Sequence, residues 1–288
     1  MKGIKKTPDG NANHPFKRLV IEAGHGDTHY WQDLWRYREL FYFLAWRDIL
    51  VRYKQTVIGI TWSVLRPVLT LVVFTVLFGK FAKFPSEGEI PYSVMVFAAI
   101  LPWQLFANAL TNSSGSLVGN ASMISKIYFP RLIIPSSTMI VGLVDFLISF
   151  FILCLLMAVY GYMPDWRILT LPLFLALALA AAMGAGIWLA ALNVKYRDFG
   201  YIVPFMVQFG LYISPVGYSS TLVPDKWRLV YSLNPMVGVI DGFRWALLGG
   251  ESQLYPPGFV LSFGLTLLLL WSGLRYFRSV ERTFADVI

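Results

Sequence analysis

Charge is scarce in this 288-residue chain. Asp, Glu, Lys and Arg make up 14% of it, against about 25% in soluble domains. That shortage argues against a cytosolic globule, and 57% hydrophobic residues argue against a disordered chain. The one cysteine, Cys154, sits in an apolar run, so no disulfide can form within the chain and no set of thiolates can hold a metal. The three histidines, His14, His25 and His29, all fall in a polar N-terminal stretch. There, His25-Gly-Asp-Thr-His29 resembles a ligand cluster only superficially. No G-x-x-x-x-G-K-[ST] loop is present. The lone Gly79-Lys80 pair runs into Phe81, so the chain has no loop of that kind to cradle nucleotide phosphates. No histidine or carboxylate pair sits where an intramembrane transferase would need an acid and a base. The first 30 residues contain no apolar h-region, so no cleavable signal peptide is expected.

What the chain has instead is long uncharged runs. Residues 90–125, 168–194, 199–224 and 252–274 carry no Asp, Glu, Lys or Arg; 132–164 carries only Asp145, and 55–79 only Arg66. A helix needs about 20 apolar residues to cross the hydrocarbon core. Each run is long enough for one crossing and too short for two. Six transmembrane helices are expected, near 58–81, 92–114, 134–160, 169–193, 200–220 and 255–276. Backbone groups in lipid must be satisfied within each segment, which forces helices. An even number of crossings puts both termini on one side, and 18 of the 24 Lys and Arg fall on that side. Both ends are therefore expected in the cytoplasm. The net charge of +8 points to a bilayer surface and not to nucleic acid.

Three regions follow: a cytoplasmic tail at 1–30, an interface helix at 31–54, and a transmembrane permease domain at 55–288. In the second, Trp31, Trp35, Tyr42, Trp46, Ile49 and Tyr53 fall on one stripe at 3.6 residues per turn. Arg36, Arg47 and Lys54 lie off that stripe. This pattern suits a helix in the membrane interface; the alternative is a soluble amphipathic helix packed on a partner. Between helices five and six, residues 217–250 are too apolar for a loop and too interrupted, by Pro224, Pro235 and Gly249-Gly250, for a crossing. They read as an outer re-entrant helical hairpin. The small residues of helix four, such as Ala180, Gly184 and Gly186, read as ordinary close packing. Asp145, near the middle of helix three, reads as a structural hydrogen-bonding group more readily than as a proton relay, because no other span offers it a titratable partner. The fold class is an all-α integral membrane protein. It spans a membrane and lacks an energy source of its own, which points to a permease driven by a separate engine.

Four segments carry a family likeness: FYFLAWRDILVRYKQTVIGITWSVLRPVL at 41–69, KIYFPRLIIP at 126–135, NVKYRDFGYIVP at 193–204 and SLNPMVGVIDGFRWALLG at 232–249. In that order they resemble the permease subunits of ABC polysaccharide exporters, which move O-antigens, capsules and teichoic acids. The resemblance covers nearly everything after about residue 30. It implies a homodimer with two ATPase subunits, ATP and Mg in those partners, no catalysis and no cofactor in this chain, and a path between the two protomers. The cargo implied is a lipid-linked polysaccharide crossing the cytoplasmic membrane. The competing readings are an ABC permease for a small lipophile or drug, and an intramembrane glycosyl- or acyltransferase.

Residues are assigned roles on that basis. Ile127, Tyr128 and Phe129 are apolar knobs flanked by Arg131, suited to docking in a cleft on the ATPase. Arg36, Glu39, Arg47 and Asp48 of the interface helix supply a second contact, and Tyr196, Arg197 and Asp198 a third. Aromatic rings can stack on the C–H faces of sugars without fixing their hydroxyls. The expected channel lining is Trp62, Phe74, Phe78, Trp103, Phe106, Phe205, Phe209 and Tyr212, and the exit gate Tyr218, Trp227, Tyr231 and Trp245. The competing role for these rings is an interface belt or lipid-facing packing. Arg47, Arg52, Lys54 and Arg66 form a hypothetical site for a polyprenyl diphosphate headgroup, which arginine binds bidentately.

Overall fold

The computed structural model describes residues 30–54, 59–88, 90–249 and 254–284. The tail at 1–29, with its three histidines, and the expected start of the first span at 58 lie outside the described residues. Everything described is helix or connection, with no strand among the described residues. In chain order the helices are α1 (Tyr30–Arg36), α2 (Arg38–Lys54), α3 (Gly59–Phe74, continued by a π-helical stretch Thr75–Phe81), α4 (Tyr92–Gly119), the single turn α5 (Ala121–Ile124), α6 (Ile133–Val159), α7 (Leu171–Lys195), α8 (Phe199–Ile213), α9 (Asp225–Tyr231), α10 (Pro235–Leu248) and α11 (Pro256–Val280). Proline marks several starts. Pro172, Pro235 and Pro256 each occupy the first turn of their helix, where the missing N–H costs no hydrogen bond. Asn234 adds a cap, its side-chain oxygen accepting from the Met236 amide at 3.0 Å.

Five stretches are long and apolar enough to cross a membrane: Thr61–Phe81, Tyr92–Gly119, Ile133–Val159, Trp166–Lys195 and Pro256–Thr283. The fifth expected span differs. It was expected to run from 200 to 220, but α8 stops at Ile213 after 15 residues, about 22 Å of helix. The reason is local. Ser214 precedes Pro215, whose ring disfavours the helical conformation in the residue before it, and Ser214 is extended (φ −82°, ψ 153°). Residues 217–249 form the two expected short helices, α9 and α10. α10 is a core element: Met236–Phe243 and Ala246–Leu248 are buried against α4, α7 and α11.

The two largest apolar clusters among the described residues lie at opposite ends of the bundle. One joins the first half of α4 to α10, the start of α7 and the end of α6; this is the hairpin end. The other joins α1, α2 and the 124–134 turn to the end of α7 and of α11; this is the basic end. α4 is the axis, with 72% of its most apolar window buried, against 11% for α3. α2 packs along α6, and its last turn reaches Asp145, twelve residues into that helix, or about 18 Å along its axis.

The small residues of α7 do what close packing requires. A Cβ on Gly184 would stand 2.5 Å from the Leu270 amide nitrogen of α11, and one on Gly273 would collide with the Gly184 carbonyl. One on Gly186 would press into Ser113 of α4. Overpacking costs about 1–3 kcal/mol, and here backbone and not a flexible tip must yield. Gly184→Ala should therefore lower the thermal unfolding midpoint in detergent, whereas Gly264→Ala, with nothing within 4 Å of the new methyl, should leave it unchanged or raised.

Candidate functional site

At the basic end, the turn after α4 is held from two sides. Arg47 of α2 grips Asp48 (2.9 and 2.8 Å) and reaches Asn120 Oδ1 at 3.2 Å. Arg131 is fixed to the end of α11: its amide donates to the Glu281 carboxylate at 2.7 Å, and its guanidinium to the Glu281 carbonyl. Between these anchors Ile127 and Tyr128 project, 59% and 58% exposed. Phe129 does not. It is buried among Leu44, Ile124 and Phe277, because Pro130 turns the chain back to the bundle and an apolar ring is cheaper inside than in water. Of the three expected knobs, two protrude and the third anchors the turn. Arg36, Glu39, Tyr196, Arg197 and Asp198 are exposed.

The four cations expected to share one headgroup site are divided. Arg47 is engaged by Asp48. Arg52 pairs with Asp145 at 2.6 Å, while Lys54 and Arg66 are exposed. Asp145 also accepts from Tyr53 (2.6 Å) and Ser63 (3.0 Å), so one carboxylate ties α2, α3 and α6. A charge in a transmembrane helix costs about 2.5–3.5 kcal/mol at its centre; these three donors offset it. The interhelical bonding expected of Asp145 is present. The phenol of Tyr53 is pushed up to about 12, first by burial and then by its bond to Asp145, so it stays a donor throughout the physiological range.

The aromatics divide as well. Trp62, Phe205, Phe209 and Tyr212 are 53–59% exposed, and the Phe205 and Phe209 rings lie 4.4 Å apart on one face of α8. Phe74 and Trp103 are buried within the protomer: Trp103 fills the space a side chain at Gly210 would take and lies against half-buried Phe106. They pack helices together within the protomer. Phe74, Phe78, Phe84, Tyr212 and Tyr218 line a cavity of about 500 Å³ where α3 meets the segment after α8. The gate residues also separate. The Tyr218 and Tyr231 hydroxyls meet at 2.9 Å, and each lies 2.9 Å from the Ile213 carbonyl; one phenol donates to the other and the second to the carbonyl, closing the open end of α8. Burial and the bond to Tyr218 push the Tyr231 phenol up. Trp245 lies under the Arg167 guanidinium, 5.1 Å from its ring centroid. Trp227 is exposed.

One residue escaped the sequence reading. Arg244, one of the six cations on the opposite side to the termini in the sequence count, is fully buried. It donates to the carbonyls of Met95, Val216 and Tyr218 at 3.3, 3.1 and 2.9 Å, with Glu87 3.9 Å away. Its signal was an arginine amid apolar residues on a short helix. Asp241, one turn earlier, is also buried. Desolvation lifts its carboxyl to about 6, against the opposing pull of Ser220 and Arg244.

The turn, the exposed aromatic face and the capped hairpin can be compared with known proteins. The family model for ABC-2 type transporters matches residues 39–248. The chain belongs to the ABC-2 type transporter family. This transporter chain is 28% identical over 255 residues to an O-antigen export system permease protein RfbA of Klebsiella pneumoniae, an alignment covering 87% of this chain and 95% of that protein. It is 26% identical to an RfbA of Myxococcus xanthus (89% and 98% covered). It is 23% identical to the capsule polysaccharide export inner-membrane protein CtrC of Neisseria meningitidis (84% and 92%).

Two outcomes are expected of this transporter. Arg244→Met should strip three buried carbonyls of their donor and cost about 3 kcal/mol or more; thermal unfolding and protease accessibility of 217–249 measure it, and Arg244→Lys should recover part. In a double-mutant cycle, Arg52→Gln and Asp145→Asn should each destabilise the protein, with a coupling of about 1–3 kcal/mol between them.

Proposed function

We propose that this chain is the membrane subunit of an ATP-driven exporter that carries a lipid-linked polysaccharide outward across the cytoplasmic membrane. The five long helices and the shorter α8 make six crossings, with both termini in the cytoplasm as the distribution of Lys and Arg indicates. α9 and α10 form a re-entrant hairpin in the outer leaflet, where broken backbone is tolerated because protein covers it. Two copies enclose the path, and two ATPase subunits, which bring ATP and Mg, dock on the cytoplasmic face. The cargo is a glycan on a polyprenyl diphosphate. This chain performs no catalysis.

One observation carries this reading: the protomer leaves the aromatic faces of α3 and α8 uncovered. Trp62 on α3 and Phe205, Phe209 and Tyr212 on α8 are more than half exposed, and the two helices converge on the aromatic cavity at the hairpin end. A second copy applied to this face would make a corridor of rings. Rings of that kind offer many weak, similar sites to sugar faces, so a polymer can slide without being trapped. The names of the relatives, permeases of O-antigen and capsule export, support the same cargo class. The docking site for the ATPase is the 126–131 turn, where Ile127 and Tyr128 project beside a charged rim.

Reconstitution with the ATPase tests the proposal. Phe205→Ala together with Phe209→Ala should slow glycan export about tenfold, at about 0.5–1.5 kcal/mol per lost ring contact, with assembly and basal ATP hydrolysis unchanged. Full export by that variant would remove the corridor. Stimulation of ATP hydrolysis by hydrophobic drugs, and not by a lipid-linked glycan, would assign the chain to small lipophiles instead.

A further inference from the structure

A second cavity, of about 640 Å³, opens at the basic end between α1, the 128–131 turn and the last turns of α11. Its α11 wall continues an unusual stripe. Val260, Phe263, Leu267 and Trp271 are exposed one above the other at spacings of three and four, an apolar track facing outward. The same face then turns basic at Arg275, Arg278 and Arg282, all exposed. Trp31 of α1, 56% exposed, faces the opening from the other side. An apolar track that ends in three cations matches an amphiphile with a hydrocarbon tail and an anionic head.

The cations are arranged for phosphate. Arg278 stacks on Tyr30 with its guanidinium carbon 4.6 Å from the ring centroid, and Arg275 on Trp271 at 5.5 Å. Stacking occupies the flat face of a guanidinium and leaves its N–H edge to donate, and that fork fits two oxygens of a phosphate. No ion pair joins these three arginines to a carboxylate among the described residues. Glu281 is engaged by Arg131, which leaves Asp33 as the one other acid on the wall.

We propose that this cavity is a binding site for an anionic phosphodiester lipid of the bilayer, its phosphate held by Arg275, Arg278 and Arg282 and its acyl chain lying along the Val260–Trp271 track. An ordinary bilayer lipid is the occupant because α11 packs inward on α7 and α10 and turns this face outward, apart from the aromatic face of α3 and α8. The site goes beyond the export reading and does not depend on the cargo. Its consequence is regulatory: Tyr128, Phe129 and Arg131 also line the cavity, so an occupying lipid braces the 126–131 turn against α11.

The test uses the full-length protein in nanodiscs of equal phosphatidylglycerol and phosphatidylcholine, with retained lipid counted by native mass spectrometry after extraction into detergent. Wild type should retain phosphatidylglycerol over phosphatidylcholine. Arg275→Gln with Arg278→Gln should cut that retention about tenfold or more, at roughly a factor of five per surface cation. Arg275→Lys with Arg278→Lys should keep most of it, and Arg282→Gln alone should reduce it in a background that leaves both stacked pairs intact. Equal retention by wild type and the double Gln variant overturns the site. So does equal retention of the two lipids. Displacement of the lipid by millimolar inorganic phosphate would show a simple anion site, and preferential capture of a polyprenyl diphosphate from mixed vesicles would show a cargo site; either overturns the proposal.

Discussion

A guanidinium that water does not reach holds the hairpin end together. α8 stops early because Ser214 precedes a proline, and the chain then runs without helix through residues buried in the bundle. The Ile213, Val216 and Tyr218 carbonyls there accept no local backbone bond, and an apolar environment offers none. Arg244 supplies donors to two of them, Val216 and Tyr218, and to Met95 on α4. The Tyr218 and Tyr231 hydroxyls satisfy Ile213, and Asn234 donates to Ser214 Oγ at 2.8 Å. The short helix and the buried arginine are therefore one feature: without the donors, the break would be prohibitive.

Asp145 does the opposite job at greater depth from the other end. It is an acceptor in a helix whose neighbours are almost wholly apolar, and three donors come to it, two from α2 and one from α3. Hydrophobic contact is tolerant of rotation and sliding, because lipid competes for the same surfaces. Directional bonds to a single carboxylate are not. They fix how far α2 descends along α6 and which face of α3 turns inward.

Five of the six expected spans were legible because charge is nearly absent from them, and because Gly and Pro punctuate their ends. The close approach of α7 to its neighbours was visible in its small residues, and Asp145 stood out as a lone acid. Other features depend on partners distant in the chain, which periodicity does not register. Phe129 looked like a protruding knob, since its neighbours Ile127 and Tyr128 are; only the packing of α11 against the turn buries it. Arg52 and Arg47 looked like companions in a basic patch, but Asp145 lies 93 positions from the first, and the second is shared between an adjacent acid and Asn120. Trp103 and Phe74 share a residue type with the exposed rings, and position in the bundle alone separates them. Arg244 drew no notice because counting charges does not tell a solvated arginine from one buried on a short helix.

These contacts also join the two ends of the machine. Asn120, beside the turn proposed to meet the ATPase, is held by Arg47. Arg52 and Tyr53 of the same helix hold Asp145, and Asp145 holds Ser63 on α3. α2 is unbroken over its 17 residues, so displacement of the turn can carry it as one body. α3 is the span least enclosed by the protomer, and α4, the most enclosed, cannot follow without repacking its core. A push at the turn therefore has a stiff lever, a directional link and a yielding wall in sequence. On the export reading proposed above, work delivered at the basic end would be spent where resistance is least, on the helix that carries Trp62 and borders the aromatic cavity. That ordering of stiff and compliant elements is what the proposed coupling to an ATPase would require.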